Sequence, residues 1–233
     1  MTLVLLIAAG AILETLFIMQ SYRKRDLFSV FLKTIASAIF VVLGFHCRNL
    51  YIAGHELSEP IADYSAMLIN GMMLGFAGDF LLALRFVCRK LHTVFFITGT
   101  AAFFAGHVFY ITAILKIAPN CWHYAIPIAL VALGAAIFYS HAMDVKAGKI
   151  APLGVIYIGC VLFMAACALT GAFLETSRAL FMFFLGGLCF SLSDNMLVVL
   201  SFGKNDSPYR NAVLHVLYYM AQIFIALSIL FLS

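Results

Sequence analysis

Charge is scarce in this sequence: Asp, Glu, Lys and Arg make up 10% of its 233 residues, where soluble domains carry roughly 25%. With 65% hydrophobic residues and a mean hydropathy of +1.08, a water-soluble fold of this size has too little polar surface to cover the rest, so the excess faces lipid. Motifs of soluble catalysis are also missing. There is no G-x-S-x-G elbow, no H-E-x-x-H and no G-x-x-x-x-G-K-[ST], which leaves serine-hydrolase, zincin and P-loop chemistry without support. The six cysteines form no C-x-x-C pair and most fall in apolar runs, where cysteine acts as a small hydrophobe. No basic segment precedes the first apolar run; its basic flank follows it. The run therefore reads as a retained helix and not a signal peptide. The net charge of +4 suits basic membrane loops, and nothing resembles a nucleic-acid surface.

What the chain does contain is a series of apolar runs, at about 2–20, 28–45, 63–86, 91–114, 122–140, 150–170, 178–202 and 209–232. Each is near the roughly 20 residues that cross a bilayer and none has a periodic polar face. The expected fold is an all-α polytopic bundle of about eight transmembrane helices, a single transmembrane domain over residues 1–233. Ten basic residues follow odd-numbered runs (Arg23, Lys24, Arg25, Arg85, Arg89, Lys90, Lys146, Lys149, Lys204, Arg210), and three follow even-numbered ones (Arg48, Lys116, Arg178). That asymmetry predicts odd loops in the cytoplasm and both termini on the other side. The host membrane is either a bacterial cytoplasmic membrane or a eukaryotic endomembrane. Cys47 and Cys121 are placed in loops on one side, which leaves a disulfide between them open.

The sequence echoes itself. Gly71 and Gly78-Asp79-x-x-Leu82 match Gly186 and Ser193-Asp194-x-x-Leu197, and Phe104-Ala105-Gly106-His107-Val108-Phe109 matches Tyr219-Met220-Ala221-Gln222-Ile223-Phe224. One shift of 115 residues superposes all of these without a gap. This predicts a parallel repeat of the third-and-fourth and seventh-and-eighth helices, although the first two runs show no clear echo in the fifth and sixth.

Three acids, Glu14, Asp79 and Asp194, and one base, Lys33, fall inside the runs. A charge deep in a span costs about 2.5–3.5 kcal/mol on the insertion scale and needs a polar partner or a wet cavity. Counting residues at about 1.5 Å each puts Asp79 about 9 Å from Arg85, and Asp194 about 10–15 Å from Lys204. All four charges then lie in the cytoplasmic half of the membrane, and one polar pocket explains them more economically than four separate burial costs. Gly71, Gly75 and Asp79 share a helix face, as do Gly187, Ser191 and Asp194. Close packing explains the glycines but not the aspartates. The last run adds a stripe of Asn211, His215, Tyr218, Tyr219 and Gln222. Lys33 and Glu14 also have the option of reaching the surface. His107 is equally a helix-packing histidine, and tyrosine and histidine also serve as interface anchors. A zinc site from His92, His141 and His215 stays open.

Gly78-Asp79-Phe80-Leu81-Leu82, Phe104-Ala105-Gly106-His107-Val108-Phe109-Tyr110, Leu192-Ser193-Asp194-Asn195-Met196-Leu197 and Tyr218-Tyr219-Met220-Ala221-Gln222 together resemble the signature of the YhhN family of membrane proteins, which includes the lysoplasmalogenases. The resemblance runs in order from the second run to the last. It departs at Lys33-Thr34, where the family often has Lys-Pro, and at Leu200-Ser201-Phe202, where it often has a more polar residue. The resemblance implies an alkenyl-ether hydrolase that cleaves a lysoplasmalogen with water to a fatty aldehyde and glycerophosphoethanolamine or its choline analogue. Asp79 and Asp194 match the family's motif aspartates and are the expected catalytic pair, one as acid and one as carboxylate. Lys33, Glu14, His107, Tyr218, Tyr219 and Gln222 are expected to bind substrate or line the pocket. No cofactor is expected, and the expected partners are the lysophospholipid and the bilayer. The residues alone also fit a proton-coupled transporter or a metal-dependent lipid hydrolase.

Overall fold

In lipid every backbone N–H and C=O must find its partner within the protein, so apolar runs of this length fold as helices. The computed structural model describes residues 1–56, 58–203 and 207–232. Among them are eight long α-helices and no strand: α1 Thr2–Arg23, α2 Leu27–Gly54, α3 Glu59–Val87, α4 His92–Ile117, α5 Trp122–Ala142, α6 Ala151–Leu174, α7 Arg178–Phe202 and α8 Pro208–Ser228. All eight are long and apolar enough to cross a membrane. Short 3₁₀ turns at Arg89–Leu91, Gly148–Ile150 and Ile229–Phe231 tighten three helix ends.

Local chemistry sets the ends. The Asp26 carboxylate accepts the Ser29 N–H at 3.0 Å to cap α2, and the Ser177 hydroxyl accepts the Leu180 N–H at 3.3 Å to cap α7. Pro60, Pro152 and Pro208 stand in first turns, where the missing N–H has no helical partner to lose. Most helix ends fall within about four residues of the apolar runs, and the largest difference is at the end of α2. The second apolar run stops at about 45, yet α2 continues to Gly54. The extra turns are supported by Arg48, whose Nε–H donates to the Ser65 hydroxyl of α3 at 3.1 Å, and by buried Cys47 and Tyr51. Arg48 and Cys47 therefore lie within a helix, not in a loop. All six cysteines are free thiols. Lys204 lies outside the described residues.

The chain packs as two compact units, Met1–Ala113 and Ile114–Ser233. In the first, α2 is the more enclosed helix and α1 the outer one. In the second, α6 and α8 are enclosed, while α5 turns Leu130, Val131 and Phe138 outward, as a helix facing lipid does.

The two units repeat a contact pattern. In the first, a Cβ on Gly71 would run into the Tyr110 ring and lie 3.0 Å from the Gly106 carbonyl oxygen. In the second, a Cβ on Gly186 would lie 2.8 Å from Ile225 and 2.9 Å from the Ala221 carbonyl oxygen. A Cβ on Gly78 would lie 3.1 Å from the Gly99 carbonyl oxygen; at the matching place the Ser193 hydroxyl donates to the Leu214 carbonyl at 3.1 Å. The shift of 115 that aligns the motifs thus aligns these helix crossings residue by residue. The residue-by-residue echo stops at these helices: Gly44 of α2 packs on Met72, but the same shift pairs Gly44 with Gly159, which meets Leu133, and it is Ala165 of α6 that packs on Gly187.

Candidate active site

In the first unit three helices bring Glu14, Lys33 and Asp79 together. The connection between α1 and α2 spans three residues, so the two helices run back on each other and Glu14 meets Lys33. Glu14 Oε1 lies 3.1 Å from Lys33 Nζ. The same ammonium lies 3.7 Å from Oδ1 of Asp79 on α3. Ser37, one turn beyond Lys33 on α2, donates its hydroxyl to the other Asp79 oxygen, Oδ2, at 2.5 Å. Residues four apart share a helix face, which lets α2 grip both oxygens of one carboxylate. Lys33 Nζ also lies 5.2 Å from the Phe17 ring centroid, a favourable place for a desolvated cation. Glu14, Lys33, Ser37 and Asp79 are each no more than 6% exposed. Two carboxylates thus share one ammonium away from water, and Lys33 does not snorkel to the surface.

His107, on α4 in the same unit, is 1% exposed. Its Nδ1 lies 2.6 Å from the Phe103 carbonyl oxygen, and since a carbonyl only accepts, Nδ1 carries the proton of that bond. Its ring stands edge-on to Tyr110, with centroids 6.0 Å apart.

In the second unit Asp194 of α7 is buried, and the Tyr157 hydroxyl of α6 donates to its Oδ2 at 2.6 Å. The neighbouring Ser193 ties α7 to α8 through the Leu214 carbonyl. On α8 the Gln222 amide donates to the Tyr218 hydroxyl at 3.2 Å, and Tyr218 meets Phe190 edge-on at 5.3 Å. Tyr219 is buried on the same helix.

Of the residues singled out from the sequence, Glu14, Lys33 and Asp79 form one cluster, and Tyr218 and Gln222 form a pair. Asp194 is held by Tyr157, and His107 is anchored to its own helix. Two residues escaped the sequence reading. Ser37 had a faint signal, its i+4 spacing from Lys33; Tyr157 had none beyond being a hydroxyl in an apolar helix. Among the described residues no three His, Cys, Asp or Glu side chains are placed to hold a metal ion. His92 instead packs edge-on to Phe86, with centroids 6.4 Å apart.

Eight apolar helices whose cores hold aspartates, a glutamate, a lysine and engaged hydroxyls define a multi-pass membrane protein with polar machinery inside its spans. The model of the YhhN family matches residues 28–229, and the chain belongs to that family. No curated protein and no solved structure matches it.

Proposed function

We propose that this protein is a lysoplasmalogenase-like hydrolase that cleaves the vinyl ether of lysoplasmalogens with Asp79 and Asp194 as its acid–base residues. The observation that carries the reading is the pair of motif aspartates, each buried in a span and each with a carboxylate oxygen held by a hydroxyl from a neighbouring helix: Ser37 for Asp79 and Tyr157 for Asp194. The family's inclusion of lysoplasmalogenases supports it.

The reaction needs little else. One carboxylic acid gives its proton to the vinyl carbon β to the ether oxygen, and the α carbon becomes an oxocarbenium ion. The other residue, as a carboxylate, steadies that cation and takes a proton from the water that adds to it. The resulting hemiacetal loses the glycerol oxygen as an alcohol, leaving the fatty aldehyde. Fixed donors around each carboxyl keep it oriented without reorganisation during the reaction. Lys33, engaged with Glu14 and Asp79, fits a positioning role at Asp79. We assign Glu14, His107, Tyr218, Tyr219 and Gln222 to substrate binding.

The test is aldehyde release from lysoplasmenylethanolamine by purified protein in detergent. Asp79→Asn and Asp194→Asn should each reduce kcat about 10²–10⁴-fold, the usual worth of a positioned acid or base. Full activity in both variants overturns the mechanism. A proton-coupled carrier, which the same buried charges would also serve, would release no aldehyde in detergent and show flux only across sealed vesicles.

A further inference from the structure

Away from the aspartates, the first unit holds two arginines on one aromatic ring. The guanidinium carbon of Arg25, in the α1–α2 connection, lies 4.2 Å from the Phe86 centroid. That of Arg85, in the last turn of α3, lies 4.5 Å from the same centroid and 5.2 Å from that of Phe96. The two cations are therefore no more than about 9 Å apart, inside the roughly 10 Å over which salt leaves charges coupled. Arg25 is the charged group that acts on Arg85. Among the described residues neither forms an ion pair. Asp26, next along the chain, is occupied in capping α2 and in receiving the Gln20 amide at 3.3 Å. Among the described residues the buried Arg85 Nε–H has no hydrogen-bond partner.

A helix C-terminus favours one cation, and that explains Arg85 alone. It does not explain a second arginine drawn to the same ring, nor a buried guanidinium donor left unmade, since a buried charged donor ordinarily has a partner. An anion bridging the two guanidinium groups would explain both. Guanidinium forks suit phosphate oxygens, and Arg is the residue that recognises them while stacked on an aromatic face.

The surroundings select the source of that phosphate. Tyr22, Leu27 and Phe28 flank Arg25 in sequence and are 55% exposed or more, and Leu91, just past α3, is half exposed. Cations set among outward apolar side chains at the ends of spanning helices match a lipid, with its headgroup on the arginines and its chains along the helices. We infer that Arg25 and Arg85 form a binding site for the phosphate of an anionic phospholipid at the membrane surface, separate from the buried charges around Asp79.

The full-length protein in uncharged detergent tests this by melting temperature, with phosphatidylglycerol, phosphatidylcholine or inorganic phosphate titrated in. Phosphatidylglycerol should raise Tm of the unaltered protein by several degrees, with the other two giving little. Arg25→Gln and Arg85→Gln should each weaken the apparent phosphatidylglycerol affinity at least tenfold. If Arg85→Gln does not fold, Arg25→Gln decides alone, because Arg25 is exposed and outside the helices. Unchanged phosphatidylglycerol affinity in Arg25→Gln overturns the site. An equal shift from inorganic phosphate overturns the lipid assignment.

Discussion

Lys33 is the residue on which the first cluster turns, because its ammonium faces the carboxylates of both Glu14 and Asp79. Removing one partner from a buried ion pair leaves an uncompensated charge and typically costs about 3–5 kcal/mol. Lys33→Met should therefore lower Tm sharply. Adding Glu14→Gln should recover part of that loss, since one of the two stranded charges disappears. A double-mutant cycle read by thermal unfolding in detergent measures this coupling, and strict additivity would show that the two residues do not interact. Tyr157 gives a milder case. Its hydroxyl donates to Asp194, and a hydrogen bond to a charged group is worth about 1.5–3 kcal/mol. Tyr157→Phe should thus lower kcat about ten- to a hundredfold with KM little changed. A rise in KM at constant kcat would instead make Tyr157 a binding residue.

At the scale of the helices, close approach is set by the side chain that is missing. A Cβ at Gly71 meets the Tyr110 ring and the Gly106 carbonyl, and one at Gly186 meets Ile225 and the Ala221 carbonyl. Backbone atoms cannot step aside as a side-chain tip can, and overpacking of this kind costs about 1–3 kcal/mol. Gly71→Ala and Gly186→Ala should both lower Tm. Gly134→Ala, in α5 where no atom of the described residues lies within 4 Å of the added Cβ, should be neutral or slightly stabilising through helix propensity. Equal responses at all three sites would remove the packing explanation.

The helices are also where the sequence was most informative. Lipid demands long, internally bonded apolar segments, so the run at 178–202 coincides with α7. Charge inside such a segment stands out, which made Glu14, Lys33 and Asp79 visible before their contact was known. Hydroxyls do not stand out. Ser37 and Tyr157 cost little in a span and serve packing or back-bonding as readily as a carboxylate, so only the fold distinguishes them. Polar residues near a span's end mislead in the other direction: His46-Cys47-Arg48 interrupted the second run, although Arg48 is satisfied by Ser65 and lets α2 continue.

For the whole molecule, the distribution of basic residues predicts which face of the membrane each connection meets. Cys88, just after α3 and exposed, lies in a basic connection assigned to the cytoplasm; the α4–α5 connection, with exposed Asn120, is assigned to the opposite face. α4 lies between them, so the two positions must be on opposite sides if that helix crosses the bilayer. A charged, impermeant maleimide reads this directly, because it needs a hydrated, accessible thiolate. Cys47, Cys121 and Cys167 are buried, and Cys160 and Cys189 are partly covered within apolar helices, so they should react slowly. Cys88 should be labelled in inside-out vesicles and protected in right-side-out ones. Asn120→Cys in a Cys88→Ser background should show the reverse. Both results inverted would turn the molecule over and place the basic connections outside. Labelling of both positions from one side would mean that α4 does not span, and the Gly71–Gly106 and Gly78–Gly99 crossings would then have to form outside a continuous bilayer, where close glycine packing no longer has lipid to exclude.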